Sequence, residues 1–347
     1  MKIKKNITLE DIAKTLNVSK VTVSKALRNH PDISELKKIQ VRDTALKLGY
    51  IPNFMARNLS SKKSYTIGVV VPKVTGDFFP DVIDHIYQTA YGIGYDVILA
   101  VSQENSENEI KHIQTLLAMC VDGILISITG ETNNTKIFDL IRKRNVPLVF
   151  FDRVKSDLSS SSYVVSDDYN GVYAAMNQII DSGYKKIAFI GGSLTTNIGK
   201  DRVDGFKKAI KDFNLNIKNS WIVEGGFSER DGYNGFNKIL RQNKKNFLPE
   251  VVFSITYPVG IGVLRAAKES NINIPNDLNI MCFGGSHYNH FIKPSLSYVR
   301  QPVEKIGRLA TSMLIDHIKN PDLDIQQIKI STDVVMRDTC LPKGVIK

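Results

Sequence analysis

The sequence predicts two structural classes in one chain: a small all-α head, then a larger α/β body of two doubly wound parallel-sheet lobes. Three observations carry this. Apolar residues between Thr8 and Gly49 recur at helical spacing and are punctuated by capping residues. From Thr66 onward, continuous apolar runs alternate with longer helical segments, the pattern of parallel strands covered on both faces. Charge divides at the same place. Of the chain's 46 Lys and Arg and 35 Asp and Glu, residues 1–63 hold 14 and 5, leaving 32 and 30 for the other 284. A basic head on a nearly neutral body points to a polyanionic partner for the head.

Each head element has a local cause. Thr8, with Asp11 three places on, reads as an N-cap and a variant capping box, and Leu9, Ile12, Ala13 and Leu16 follow at helical spacing. Asn17-Val18 reads as a tight turn, with Asn suited to left-handed backbone. Ser19 caps a second helix with Val23, Ala26 and Leu27 inward. A third helix runs from near Ser34 to Gly49, and Leu36, Ile39, Val41, Ala45, Leu46 and Leu48 are expected on its buried side. Helix, short turn, helix and brace is the helix-turn-helix order, whose second helix enters the major groove.

In the body, strands are expected at Thr66–Val71, Asp96–Val101, Gly123–Ile128, Pro147–Phe151, Lys186–Ile190, Trp221–Glu224, Val251–Thr256 and Asn279–Phe283. Helices are expected between them, among them Phe79–Ile93, Ile110–Met119, Tyr169–Ser182, Lys200–Phe213 and Val259–Ser270. Ligands of such sheets bind beyond the strand carboxyl ends, so two facing lobes make a cleft.

Other classes are excluded in turn. Hydrophobic residues are 42% and charged residues 23% of the chain, a globular balance. No apolar run approaches the roughly 18 residues of a membrane helix, and no secretory h-region follows the charged start. The three cysteines form no CxxC pair, which suits a reducing cytoplasm. The spacing around Gly192 and Gly199-Lys200 fails the phosphate-loop pattern, and Gly260-Ile-Gly262 with Arg265 lacks the third glycine of a dinucleotide site. Cys282, His287 and His290 have no standard metal-ligand spacing, and Asp167-Asp168 reads as a helix-start cap. The expectation is no enzyme, no cofactor and no metal.

The segment from Thr8-Leu-Glu-Asp-Ile-Ala-Lys-Thr-Leu-Asn-Val-Ser-Lys-Val-Thr-Val-Ser-Lys-Ala-Leu27, with Leu48-Gly-Tyr-Ile-Pro-Asn-Phe-Met-Ala-Arg-Asn-Leu59 at matching distance, resembles the lactose-repressor (LacI/GalR) family of bacterial transcription regulators. The resemblance implies a helix-turn-helix domain at 1–52, a hinge helix and linker at 53–64 and a periplasmic-binding-protein-like core at 65–347. It places lobe 1 at about 65–164 and 298–327, and lobe 2 at about 165–297 and 328–347. It implies a cytoplasmic, nucleoid-associated homodimer, a repressor on a pseudo-palindromic double-stranded operator. Lys20, Val21 and Lys25 would face base edges, and Thr8, Ser19, Thr22 and Ser24 would bond phosphates. Asn53, Ala56, Arg57 and Leu59 belong to the hinge helix, with Ala56 against its dimer mate, Arg57 near phosphates and Leu59 wedged into the minor groove. Lys37-Lys38 stands where the family often has Thr-Arg, and Arg28-Asn29 replaces the usual Asn-Gly.

By the same resemblance, Ser127, Asp152, Arg202 and Phe227 match ligand positions for a small-molecule effector, and Thr256 and Tyr257 replace the common Asn-Asp. Gly284 stands where an aspartate is common, which removes a strong acceptor for hydroxyls. The effector is therefore expected to be other than an ordinary free sugar; a derivative, a nucleobase-like ligand and no ligand at all are open. The alternative is a sugar-binding or sugar-processing protein of the same core without operator specificity.

Overall fold

Capping chemistry sets the head. A computed structural model describes residues 7–50, 63–130, 132, 136–155, 161–242 and 248–344. Helix α1 (Leu9–Leu16) opens with a full capping box: Thr8 N–H donates to Asp11 Oδ2 at 2.8 Å, and Asp11 N–H donates to Thr8 Oγ1 at 3.4 Å. It stops at Asn17, whose φ of 49° is left-handed. Helix α2 (Lys20–Leu27) starts where Ser19 Oγ accepts from Thr22 N–H at 3.0 Å, and α3 (Glu35–Leu48) ends at Gly49. The head core is Ile12, Ala13, Val23, Ala26, Val41 and Ala45.

The buried side of α3 differs from expectation. Leu36, Ile39 and Leu46 are 77%, 51% and 82% exposed, whereas Lys38, Val41 and Ala45 are buried and Leu48 partly so. The buried stripe follows positions 38, 41, 45 and 48, one narrow helical face wide enough for two short helices and no more. Lys38 lays its stem on that core and brings Nζ to Glu35 Oε1 at 2.6 Å.

The chain divides into two units, Met1–Ser64 and Tyr65–Lys347. The second holds two six-stranded sheets. The first sheet contains β1 (Thr66–Val71), β2 (Asp96–Val101), β3 (Gly123–Ile126), β4 (Leu148–Phe151), β5 (Ser162–Ser166) and β11 (Gln327–Ile330), in the order β11-β5-β4-β3-β1-β2. The second contains β6 (Ile187–Ile190), β7 (Ile222–Val223), β8 (Val251–Ser254), β9 (Asn279–Phe283), β10 (Ser297–Arg300) and β12 (Asp333–Val335), in the order β12-β10-β9-β8-β6-β7. Among these pairings only β10–β12 is antiparallel. Helices α4 (Phe78–Gly92), α5 (Ser106–Ala118) and α6 (Lys136–Lys143) belong to the first lobe, with α11 (Val303–Lys319) packed on α4. Helices α7 (Asp168–Asp181), α8 (Asn197–Asp212), α9 (Glu229–Gln242) and α10 (Tyr257–Glu269) cover the second sheet.

All eight expected strand regions contain strands, because runs such as Thr66–Val71 are buried along their whole length. The lobe crossings fall a few residues later than expected. β5 stays in the first sheet through Ser166, β10 pairs with β9 through Val299, and β11 pairs with β5 through Ile330. Residues 298–300 therefore belong to the second sheet and 328–330 to the first. Short strands at and next to the sheet edges carry too little apolar pattern to announce which sheet they join.

Phe253 is fully buried on β8, its ring stacked on Phe189 with centroids 5.7 Å apart. Phe253→Ala should cost about 3–5 kcal/mol, read as a lower denaturant midpoint with unchanged far-ultraviolet circular dichroism under native conditions.

Candidate nucleic-acid interface and ligand cleft

Helix α2 turns Val23 and Ala26 inward, which leaves Lys20 exposed and Val21 63% exposed. A compact cation beside an apolar branch suits a guanine edge and a thymine methyl. Lys25 is half-buried and already engaged, its Nζ 2.8 Å from Asp32 Oδ2. That bond, with His30 adding to it, holds the Asp32 carboxyl below its usual range. An exposed pair of this kind is cheap to release.

The hydroxyl residues are occupied locally. Thr8 Oγ1 donates to Asp11 Oδ2, Ser19 Oγ and Thr22 Oγ1 share a hydrogen bond, and Ser24 Oγ accepts from Arg28 Nη2. Of the Lys37-Lys38 pair, Lys38 is buried on Glu35, so only Lys37 is left for electrostatic contact with a backbone. Asn29 takes the left-handed position, φ 59°, and Arg42 Nη2 donates to its Oδ1 at 2.6 Å. Asn53, Ala56, Arg57 and Leu59 lie outside the described residues.

The second site is a cavity of about 690 Å³ between the sheet lobes, beyond the strand carboxyl ends. Asp152 and Arg153 follow β4, Thr256 follows β8, and Gly284 follows β9. The structure brings Asp152, Arg202, Phe227, Thr256 and Tyr257 together in its lining. Ser127 is not part of that lining: it is fully buried, and its Oγ donates to Asp152 Oδ2 at 3.4 Å.

Arg202 is buried. Its Nε donates to Asp168 Oδ2 at 2.9 Å, its Nη1 donates to the Ile255 carbonyl at 2.8 Å, and its guanidinium lies 3.8 Å from the Phe283 ring centre. Asp168 is thus the counter-ion of the cleft floor, while Asp167 alone caps α7 by accepting from Asn170 N–H. Burial pushes the Asp168 carboxyl up, and Arg202 pulls against it. Thr256 Oγ1 donates to the Phe227 carbonyl at 3.0 Å and also caps α10. Phe227 lies so close to Gly192 that an added Cβ there would sit 2.3 Å from the ring. Tyr257 offers its ring to the cavity but donates its hydroxyl to Asn289 Oδ1 at 2.9 Å, and burial raises its pKa strongly.

Asp152 and Arg153 are both buried. Arg153 Nη1 donates to both oxygens of Glu104 at 2.9 Å, while its Nε makes no hydrogen bond. Sequence reasoning missed Glu104, which lies 49 residues from Arg153, and no spacing rule joins them. It also missed the ties between lobes. Asn197 Nδ2 donates to the Asp152 carbonyl at 3.0 Å, its Oδ1 accepts from Val154 N–H at 2.9 Å, and His287 Nε2 stands 2.9 Å from Asp81 Oδ2. Asp81 accordingly raises the His287 pKa. Cys282 is buried in β9, its sulfur 2.2 Å from where a Cβ on Gly260 would lie.

A capped helical head with an exposed second helix, joined to a two-lobed core with a ligand-sized cleft, defines a DNA-binding protein with a small-molecule-binding body. The comparisons agree. Residues 8–53 match the bacterial regulatory proteins of the lacI family, and residues 176–340 match the periplasmic binding protein-like domain. The chain is 30% identical over 335 residues to catabolite control protein A of Priestia megaterium, covering 96% of this chain and 99% of that protein. It is 30% identical over 332 residues to the HTH-type transcriptional repressor PurR of Photorhabdus laumondii, covering 95% and 96%. The lac repressor dimer bound to operator and the anti-inducer ONPF superposes with a TM-score of 0.84 at 21% identity, covering 97% of this chain and all of that one. The protein belongs to the LacI family of bacterial regulatory proteins. It is a DNA-binding transcriptional regulator, and no helix among its described residues is long and apolar enough to cross a membrane.

Burial raises the Asp152 pKa from 3.8 to about 6, against the pull of Arg153. The folded state therefore holds this proton more tightly than the unfolded chain. Its stabilising contribution is complete below about 3.8 and is lost as pH rises through about 6. Asp152→Asn should remove that dependence and raise stability near neutral pH by on the order of 3 kcal/mol. Melting curves of both proteins from acidic to neutral pH check this; parallel curves would exclude it.

Proposed function

We propose that the protein is a homodimeric transcriptional repressor that binds a pseudo-palindromic operator, with its affinity tuned by a small molecule in the inter-lobe cleft. It works in the cytoplasm on the nucleoid and performs no catalysis. Lys20, Val21 and Lys25 read base edges. Thr8, Ser19, Thr22 and Ser24 bond phosphates after giving up their local hydrogen bonds. Asn53, Ala56, Arg57 and Leu59 form the hinge, with Leu59 as the wedge that kinks the duplex. The relatives' names, repressor and control protein, support this reading, as does the operator-bound dimer of the lac repressor.

The observation that carries the effector half is the Asn197 staple. This one side chain from the second lobe bonds Asp152 and Val154 of the first, beside the cavity. A ligand touching Asp152 therefore acts where the lobes are joined and biases their closure. Operator affinity changes to the extent that the ligand prefers one closure over the other.

Fluorescence anisotropy on operator fragments recovered from the source genome tests the whole. Binding should fall steeply with salt and depend on the symmetry of the site. Lys20→Ala should cost about 1–3 kcal/mol on the specific site and little on random duplex. Leu59→Ala should weaken specific binding while nonspecific attachment persists; equal loss of both would count against the wedge. A protein that ignores every duplex but binds sugars would be a sugar-binding protein instead.

A further inference from the structure

We propose that the second lobe carries a further binding site, apart from the inter-lobe cleft, that takes a small anion bearing a phosphate group. It is a cavity of about 390 Å³ between the loop that follows β9, strand β10 and Arg337-Asp338 beyond β12. That volume lies at the small end of the range for organic ligands.

Among the described residues, the donors around this cavity are open and the acceptors are taken. The Arg337 guanidinium makes no hydrogen bond or ion pair there; only its backbone N–H is engaged, donating to Ser297 Oγ at 2.9 Å. Lys293 Nζ lies 3.9 Å from Asp338 Oδ2, an exposed and loose pair that costs little to open. The His290 ring touches Phe291, with centroids 3.9 Å apart, and meets no carboxylate among the described residues. Ser295 is 7% exposed; its Oγ accepts from Asp338 N–H at 3.5 Å, but its own hydroxyl hydrogen meets no acceptor among the described residues. Buried donors are normally satisfied, and a ligand oxygen in the cavity supplies what Ser295 lacks.

The acceptors are engaged within the lobe. Asn289 Oδ1 accepts from Leu296 N–H at 3.0 Å and from the Tyr257 hydroxyl at 2.9 Å, while its Nδ2 donates to the Leu296 carbonyl. Asp338 Oδ2 accepts from Ser295 N–H at 2.9 Å. Asp338 is the one carboxylate of the lining among the described residues, and it faces a guanidinium and an ammonium. Charge then decides the ligand. A phosphate group can take two parallel N–H donors from Arg337, the point charge of Lys293 and the Ser295 hydroxyl, and such charge-assisted bonds are roughly twice as strong as neutral ones. An uncharged ligand would leave both cations to water. The cavity is separate from the cleft but adjoins it: His287 and Tyr298 line both, and the Tyr257–Asn289 bond spans the wall between them.

Phosphorus NMR of inorganic phosphate mixed with the full-length protein tests the site, with ionic strength held constant by chloride. The parent protein should broaden the phosphate signal saturably. Arg337→Gln and Lys293→Gln, both at exposed positions, should each weaken that binding about tenfold. Lys20→Ala in the head and Lys73→Gln in the cleft should leave the phosphate affinity unchanged. Losses in those two with none at Arg337 and Lys293 would put the anion on the head or in the cleft and overturn the proposal. Glycerol 3-phosphate, run the same way, separates the two sources of the group: tighter binding than inorganic phosphate assigns the site to a phosphate ester, and equal or weaker binding assigns it to the free ion. Absence of saturable binding with both probes would overturn the site itself.

Discussion

The second sheet lobe turns on one buried ion pair. Asp168 starts α7 just after the chain first crosses between sheets, and Arg202 sits one turn into α8. Their 2.9 Å bond, with the Arg202 hydrogen bond to the Ile255 carbonyl and its stacking on Phe283, gathers two helices and two strand ends at the floor of the cleft. Removing one member of such a pair leaves an uncompensated charge in the interior, typically worth about 3–5 kcal/mol. That constraint explains why Arg202, at the floor of the ligand cleft, is neither exposed nor free.

The head is held by a different economy. Its first two helices are eight residues each, too short to persist alone in water. Six small or medium apolar side chains and reciprocal caps hold them together. Because α2 spends Val23, Ala26 and, in part, Leu27 on that core, its N-terminal face stays available to a duplex. Lys38 buried on Glu35 shows how narrow the margin is: a charged residue's stem is used to complete the packing.

Among the described residues, polar bonds join the two lobes. Asn197 makes two of them to the backbone at Asp152 and Val154, and Thr195 adds one to the Gly130 carbonyl. Polar bonds of this kind exchange readily with a ligand's own donors and acceptors, whereas an apolar interface would have to be torn open. A cleft closed this way is suited to report occupancy.

Local chemistry was readable in the chain itself. Thr8, Asn17, Ser19 and Gly49 announced the head helices because caps and left-handed turns depend on neighbours within four residues. The strands of the body announced themselves because both faces of a parallel sheet demand unbroken apolar runs. What the tertiary structure alone decided was everything set by partners far apart in sequence. Leu36 and Leu46 look like core residues until the two short helices leave them uncovered. Asp168 looks like a cap until Arg202, 34 residues on, claims it. Ser127 looks like a ligand contact until Asp152 stands in front of it. Burial and charge pairing are properties of the assembled lobes, and no periodicity along the chain encodes which carboxylate meets which guanidinium.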